Sequence, residues 1–298
     1  MSCQEISVAI PTFGRTEVLL DSVRHVLALR PAPLELLVVD QTPQQAPEVA
    51  NTLASLAHEG VRWIRLSRPS VPAAMNRALL EARAEVLLFL DDDVEPSADL
   101  FRAHLEAHAT GSADLVAGQV LQPWEPAPRP LAAGEAFRFS ATDRQEVQEF
   151  IGCNFSVRRQ KALAIGGFDE RFTGAAYRYE RDFSDRLRES GGHIAFEPRA
   201  SVRHLKASSG GVRQHGDHLH SIRPSHSSGE YYYLLRHRRP GTFRQALRRL
   251  VGSICTSHHL RQPWWIPATL AAEMSGLAVA AWHASQPPRY IASERTIS

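Results

Sequence analysis

The 298-residue chain is 43% hydrophobic and 22% charged, enough apolar material for one large core with an appendage and too much for wholesale disorder. Its net charge of +2 conceals a division: residues 231–298 hold nine Arg and two Glu, a charge of +7, which leaves −5 on residues 1–230. Cys3, Cys153 and Cys255 are odd in number, far apart and never in a Cys-x-x-Cys spacing, which excludes a disulfide framework or a zinc ribbon and fits a reducing compartment. The N-terminus has no basic segment ahead of an apolar run, so no signal peptide is expected and a cytoplasmic location is.

From the start, the apolar run Ile6 to Ile10 predicts a strand that ends at Pro11-Thr12-Phe13-Gly14-Arg15. Val18, Leu19, Ser22, Val23, Val26 and Leu27 then recur at helical spacing. Leu34 to Val39 is a second strand ending on Asp40, followed by a polar turn and a helix over Val49 to Leu56. Val61 to Leu66 is a third, and a helix carrying Ala73, Ala74, Leu79 and Leu80 leads to a fourth, Val86 to Leu90. Four strand-then-helix units in the first 110 residues predict an α/β fold with a mostly parallel, doubly wound, Rossmann-like sheet.

That fourth strand is apolar throughout, as in a parallel sheet buried on both faces, and stops on Asp91-Asp92-Asp93. Three adjacent carboxylates repel one another, so a strand end that carries them calls for a cation or a positively charged partner. The bland alternative is a solvated turn with Asp92 or Asp93 as a helix N-cap. In a doubly wound sheet, ligands sit at the carboxyl ends of the strands, which puts Thr12 to Arg15, Asp40, Gln41, Arg68 and the Asp triplet on one rim. A nucleotide gripped there would use Asp40 on a base N–H and Arg15 or Arg68 on phosphate oxygens. Neither GxGxxG after the first strand nor GxxxxGK[ST] occurs, so neither a dinucleotide fold of the usual kind nor a P-loop is expected.

A helix near Ser97 to Ala107 and a strand from Ala113 to Leu121 precede an irregular segment with Pro123, Pro126, Pro128 and Pro130. Order returns at Phe150 to Arg159, followed by a tight turn at Gly166-Gly167 and a helix beginning near Asp182, with Glu180 just before its N-terminus. Ile194 to Phe196 and Ser201 to Leu205 read as two short strands, the second carrying His204, a candidate metal ligand. Two acidic centres can divide labour: a metal neutralises a diphosphate leaving group while a separate carboxylate takes a proton from an incoming hydroxyl.

The ordered set Pro11-Thr12 with Arg15, Val38-Val39-Asp40, Asn76, Phe89-Leu90-Asp91-Asp92-Asp93, Asn154-Phe155-Ser156, Gly166-Gly167-Phe168-Asp169-Glu170 and Glu180-Arg181-Asp182 resembles family 2 glycosyltransferases of the GT-A fold. The resemblance spans residues 6–205. It implies a metal-dependent inverting glycosyltransferase using Mg2+ or Mn2+ and a UDP-, GDP- or dTDP-linked sugar, serving a cell-surface polysaccharide or another glycoconjugate. It implies donor contacts at Pro11, Thr12, Arg15, Asp40, Asn76, Asp91 and Asp92, to which the rim position adds Arg68, metal ligands at Asp91, Asp93 and His204, and a base at Glu180. Two departures stand out: Gly14 where Asn is frequent, and Glu180-Arg181-Asp182 in place of Glu-Asp-x-Asp, which leaves Asp182 as the rival base. Which of the three Asp residues meets the metal stays open between Asp93 and Asp92. The other classes are a sugar nucleotidyltransferase, for which Pro11 to Arg15 is poor in glycine and basic residues, and a non-catalytic nucleotide-sugar-binding module.

The expected division is a catalytic domain over 1–205, with a nucleotide-sugar half to about 110 and an acceptor half over 111–205, then a flexible His-, Ser- and Gly-rich loop over 206–230 and a basic helical extension over 231–298. The loop, with His215, His218, His220 and His226, fits no ligand spacing and suits a cover over the site. From Tyr231 to Ala272 there are seven Arg and no acidic residue, a pattern that could lie on an anionic membrane or hold a lipid-linked acceptor, with contact through 231–282 at its inner face. A helical lid covering the acidic body is the alternative. Pro267 and Glu273 argue against a bilayer span over Trp264 to Trp282, and the acidic body argues against nucleic acid.

Overall fold

The computed structural model describes residues 5–207, 209–211 and 222–291. His215, His218 and His220 lie outside the described residues.

The chain opens with β1 (Ile6–Thr12), α1 (Glu17–Ala28), β2 (Glu35–Asp40), α2 (Pro47–Ser55), β3 (Val61–Arg65), α3 (Val71–Glu81) and β4 (Val86–Leu90). These four strands are parallel, in the order β3-β2-β1-β4. Then come β5 (Val94–Pro96), α4 (Leu100–Thr110), β6 (Leu115–Leu121), β7 (Gln145–Glu146) and β8 (Asn154–Arg158). The sheet continues β4-β8-β6-β9-β5, where β9 is Ile194–His204 and β7 pairs with β9. β8 runs antiparallel to both neighbours, so the parallel pattern breaks just past the Asp triplet.

Alternation along the buried strands feeds two cores. Ala9, Leu37, Val39, Leu87 and Phe89 pack one face with Met75 and Leu79 of α3, while Val8, Ile10, Leu36, Val38 and Leu88 pack the other with Leu19, Val23 and Leu100. Stacked rings extend the first core: Phe89 on Phe155 at 4.8 Å and Phe168 on Phe183 at 4.3 Å between centroids.

The remaining helices are α5 (Arg159–Ala164), α6 (Tyr179–Glu189), α7 (Ser228–Arg236), α8 (Thr242–Ile254), α9 (Ser257–Arg261) and α10 (Ile266–Ala284). Among the described residues no helix is long and apolar enough to cross a membrane. Glu273, in the middle of α10, is buried and takes hydrogen bonds from Tyr231 Oη at 2.7 Å and Arg249 Nη2 at 2.9 Å.

Three expectations change. The helix expected near Asp182 begins at Tyr179, so Glu180 and Asp182 both lie in its first turn; Arg178, at φ 73°, makes the entry in a left-handed conformation that few sequence signals announce. The two short strands around Pro198 are one strand, because a register shift between Gly118 and Gln119 absorbs the interruption. Asn154 holds that bulge, its Nδ2 donating to Gln119 O at 3.0 Å and Ala200 O at 2.8 Å. The loop expected over 206–230 ends early, since α7 starts at Ser228.

Behind Asn154 lies a buried polar chain. His104 Nε2 meets Asn154 Oδ1 at 3.0 Å, its Nδ1 meets Ser156 Oγ at 2.8 Å, and His108 Nε2 meets the same hydroxyl at 2.8 Å while its Nδ1 faces Ala113 O at 3.1 Å. Two neutral rings and one hydroxyl supply three hydrogens for these four contacts. A further proton would complete the chain, but burial outweighs that gain and pushes the pKa of His104 down to about 3 and that of His108 down to about 4.

Candidate active site

The rim forms because parallel pairing sets Thr12 opposite Asp40 while β4 ends beside β1. The Asp triplet finds its positive partner within the protein. Arg15, 8% exposed, places Nε 3.1 Å from Asp92 Oδ1 and Nη2 3.2 Å from Asp93 Oδ2. Its Nη1 donates to the carbonyls of Ala207 and Ser209. Thr12 Oγ1 donates to Asp92 Oδ2 at 2.6 Å. Burial pushes the Asp92 carboxyl up to about 7 even against the opposing pull of Arg15 and Thr12. Arg15 and Thr12, expected on the donor, are thus engaged with the triplet, and Asp92 is turned inward toward them.

Asp91 and the second oxygen of Asp93 approach His204. His204 Nε2 lies 3.0 Å from Asp93 Oδ1 and 3.7 Å from Asp91 Oδ2, because β5 pairs Val94 with His204 at the end of β9. Asp93 Oδ2 also accepts from the backbone N–H of Ala207 at 2.9 Å. Burial alone would raise the Asp93 carboxyl; the hydrogen bond and charge of His204 outweigh it and hold the group below its usual value. Cys153 joins this cluster: its Sγ, a carboxylate oxygen of Asp91 and a ring nitrogen of His204 lie within 4.8 Å of one another. Sequence reading passed over Cys153 because a lone cysteine in an apolar stretch reads as core. Carboxylate and imidazole donors on a strand end, with His204 Nδ1 buried and lacking a hydrogen bond among the described residues, fit a divalent cation.

Glu180 approaches from α6. A Cβ added to Gly152 would stand 3.4 Å from Glu180 Oε1 and would overlap Tyr179 Oη, so only glycine lets the turn before Asn154 pass this close. The same turn touches the triplet, Asp91 N–H donating to Cys153 O at 3.2 Å. Asp182 is placed differently. It is 2% exposed, and its oxygens are taken by His237 Nε2 at 2.8 Å and Arg186 Nε at 2.9 Å. Burial would raise its carboxyl; His237 and Arg186 overcome this and hold it low, as an anchor between α6 and the residue after α7.

The other predicted residues spread along the rim and behind it. Asp40 is fully buried and accepts from Thr42 N–H at 2.8 Å, Trp63 Nε1 at 3.1 Å and Gln45 Nε2 at 3.2 Å. Trp63 is thus a rim residue that no motif marked in advance. Pro11 sits in β1 one residue inside the rim. Arg68 is exposed and has no ion-pair partner among the described residues. Asn76, expected on the donor, makes internal hydrogen bonds: its Nδ2 donates to Phe168 O at 2.9 Å and its Oδ1 accepts from Phe168 N–H at 2.8 Å. Gly167, at φ 67°, makes room for it, since a Cβ there would lie 2.5 Å from Asn76 Oδ1. Asp169 of the same turn accepts from Tyr232 Oη at 2.6 Å, so the Gly-Gly-Phe-Asp-Glu segment ties the C-terminal helices to the sheet.

A family profile described as Glycosyl transferase family 2 matches residues 7–166, more than half of the chain. The chain belongs to glycosyl transferase family 2. Similarity to the Succinoglycan biosynthesis protein ExoM of Rhizobium meliloti (strain 1021) amounts to 27% identity over 206 residues, 66% of this chain and 65% of that relative. This family 2 chain therefore matches just under two thirds of the relative's length. Among solved structures, the mannosyltransferase PcManGT from Pyrobaculum calidifontis with GDP-Man and Mn2+ is 17% identical, with a TM-score of 0.56 over 95% of this chain and 80% of that one. GalNAc-T7 with UDP, GalNAc and Mn2+ is 15% identical, with a TM-score of 0.58 over 72% of this chain and 45% of that one. S. aureus TarS 1-349 with UDP-GlcNAc is 12% identical, with a TM-score of 0.57 over 91% and 73% of the two chains. At these identities the likeness is one of fold, and it agrees with the GT-A architecture expected above.

Proposed function

We propose that this protein transfers a sugar from a nucleotide-diphosphate donor to a hydroxyl acceptor, with inversion at the anomeric carbon. The observation that carries the reading is convergence. Asp91, Asp93 and His204 meet at one strand end, and Glu180 faces the turn Gly152 to Asn154 whose carbonyl holds Asp91. Family membership and structural neighbours solved with UDP, UDP-GlcNAc or GDP-Man support a UDP-, GDP- or dTDP-linked donor. Asp91, Asp93 and His204 would hold Mg2+ or Mn2+, which when bound offsets charge on the departing diphosphate.

Glu180 accepts the proton of the acceptor hydroxyl as that oxygen bonds to the anomeric carbon and the bond to the diphosphate breaks on the opposite face. Asp182 is unsuited to this task, with both oxygens committed to His237 and Arg186. Asp40 lies at the β2 rim with Trp63 beside it and would orient the base, exchanging the Gln45 amide for a base N–H. Arg68 would meet phosphate oxygens. The relative named for succinoglycan biosynthesis supports a role in building a polysaccharide or another glycoconjugate. An acceptor carried on a membrane lipid, at the inner face of the membrane, fits the basic C-terminal helices.

Calorimetric titration of the protein with a panel of sugar nucleotides, with Mn2+ and with chelator, tests this reading. One donor class should bind, and Asp93→Asn should abolish the gain that Mn2+ gives. A panel with no Mn2+-dependent binding in the wild type would overturn it.

A further inference from the structure

Helix α8 departs from the usual pattern of a surface helix. It has no buried residue, and the apolar positions spaced four apart on one face point outward: Phe243 is 82% exposed, Leu247 50% and Val251 48%. The opposite side meets the body through Arg249, which is paired with buried Glu273. Further along the chain Leu260 is 84% and Trp264 67% exposed. A monomeric soluble protein rarely leaves a stripe of this kind in water, and scattered single residues would not repeat at helical spacing.

The charge around the stripe says what covers it. Arg244 and Arg248 adjoin Phe243 and Leu247 in sequence and so flank the stripe, and neither has an ion-pair partner among the described residues; the same holds for Arg236 and Arg261. No acidic residue occurs from Tyr231 to Ala272. By contrast, Arg239 is paired with Asp185 and Arg178 with Glu230, so arginines that face the body do find carboxylates. A second copy of the chain docked face to face would bring these unpaired arginines against one another. An anionic lipid surface instead offers hydrocarbon for the apolar stripe and phosphates for its basic flanks.

We infer that the outward face of α8, with Leu260 and Trp264 following it in the chain, docks this protein on anionic bilayers. Phe243, Leu247 and Val251 enter the headgroup boundary, and Arg244 and Arg248 contact lipid phosphates. The acidic body, with −5 on residues 1–230, is held away from the same surface, which orients the protein. Docking rests on the lipid-linked acceptor reading for its purpose but not for its physics, and it is measured without any sugar nucleotide, so failure of one leaves the other standing.

The test is co-sedimentation of the full chain with vesicles of phosphatidylcholine alone and with one quarter phosphatidylglycerol, at low and high salt. Wild type should bind the anionic vesicles only. Arg244→Gln with Arg248→Gln should weaken binding about 30-fold, at roughly fivefold for each charge removed near the surface. Phe243→Ser, Leu247→Ser and Val251→Ser together should abolish it with the thermal transition unchanged. If that triple variant fails to fold, the arginine pair and the salt dependence decide. Failure of wild type to bind anionic vesicles, or equal binding by the arginine variant, would overturn the inference. So would concentration-dependent self-association of the wild type that disappears in the triple variant, or capture of an acidic protein by this face with no affinity for lipid.

Discussion

Replacing Arg15 by Met exposes how the Asp triplet is held. The guanidinium is the only cation in contact with Asp92 among the described residues, and it shares Asp93 with His204. Met keeps much of the packing volume and removes the charge and four hydrogen bonds, two to carboxylates and two to the carbonyls of Ala207 and Ser209. Breaking a buried ion pair by deleting one partner costs about 3–5 kcal/mol. Asp92 keeps the Thr12 hydroxyl, and Asp93 keeps His204 and the Ala207 N–H, so the low end applies. A loss of about 3 kcal/mol corresponds to a fall in Tm of about 5 °C for a chain of this size. Differential scanning fluorimetry with and without Mn2+ is the assay, because a divalent cation offsets the same carboxylates. The variant should regain more of its Tm on adding Mn2+ than the wild type gains. A variant within about 2 °C of wild type, or an equal Mn2+ shift in both, would refute the assignment of Arg15 as the internal counter-charge.

Other substitutions separate scaffold from chemistry. Asn76→Ala removes two buried hydrogen bonds to the Phe168 backbone and should lower stability by about 2 kcal/mol in urea unfolding, with donor affinity unchanged. A selective loss of donor affinity would restore Asn76 to the donor site. Asp182→Asn weakens the contacts with His237 and Arg186 and should cost about 2 kcal/mol of stability, with the pH profile of kcat unmoved. His104 and His108 bind protons in the unfolded chain near 6.5 but in the folded protein only near 3 and 4. Their contribution is therefore complete above pH 6.5 and is lost as pH falls through that window. The loss is on the order of 2 kcal/mol per ring at pH 5, and His108→Gln should flatten the fall in stability between pH 7 and 5 by about half. An unchanged slope in that variant would contradict the neutral buried pair.

What sequence conveyed and what it hid follow one physical line. Strands β1, β2 and β4 were legible because burial on both faces makes them continuous apolar runs, and the rim followed because each run stops on a polar residue. Contacts between residues far apart in sequence were not. Arg15 meets a triplet more than seventy residues away, and Asn76 meets Phe168 across ninety-two, so neither contact could be read from the local sequence. The apparent break between Phe196 and Ser201 is absorbed by a bulge in register with β6. The start of α6 was hidden by the left-handed Arg178, and Cys153 by its resemblance to core. Glu180 and Asp182 could not be separated from their motif alone; Asp182 is bonded to His237 and Arg186, whereas Glu180 Oε1 lies beside the turn at Gly152.

Release of nucleotide diphosphate in the presence of donor, acceptor and Mn2+, compared between wild type and Glu180→Gln, tests the transfer chemistry most directly. The proposed role of Glu180 predicts a rate lower by about 10²–10⁴-fold with donor affinity retained. A variant that releases nucleotide diphosphate at the wild-type rate would contradict it.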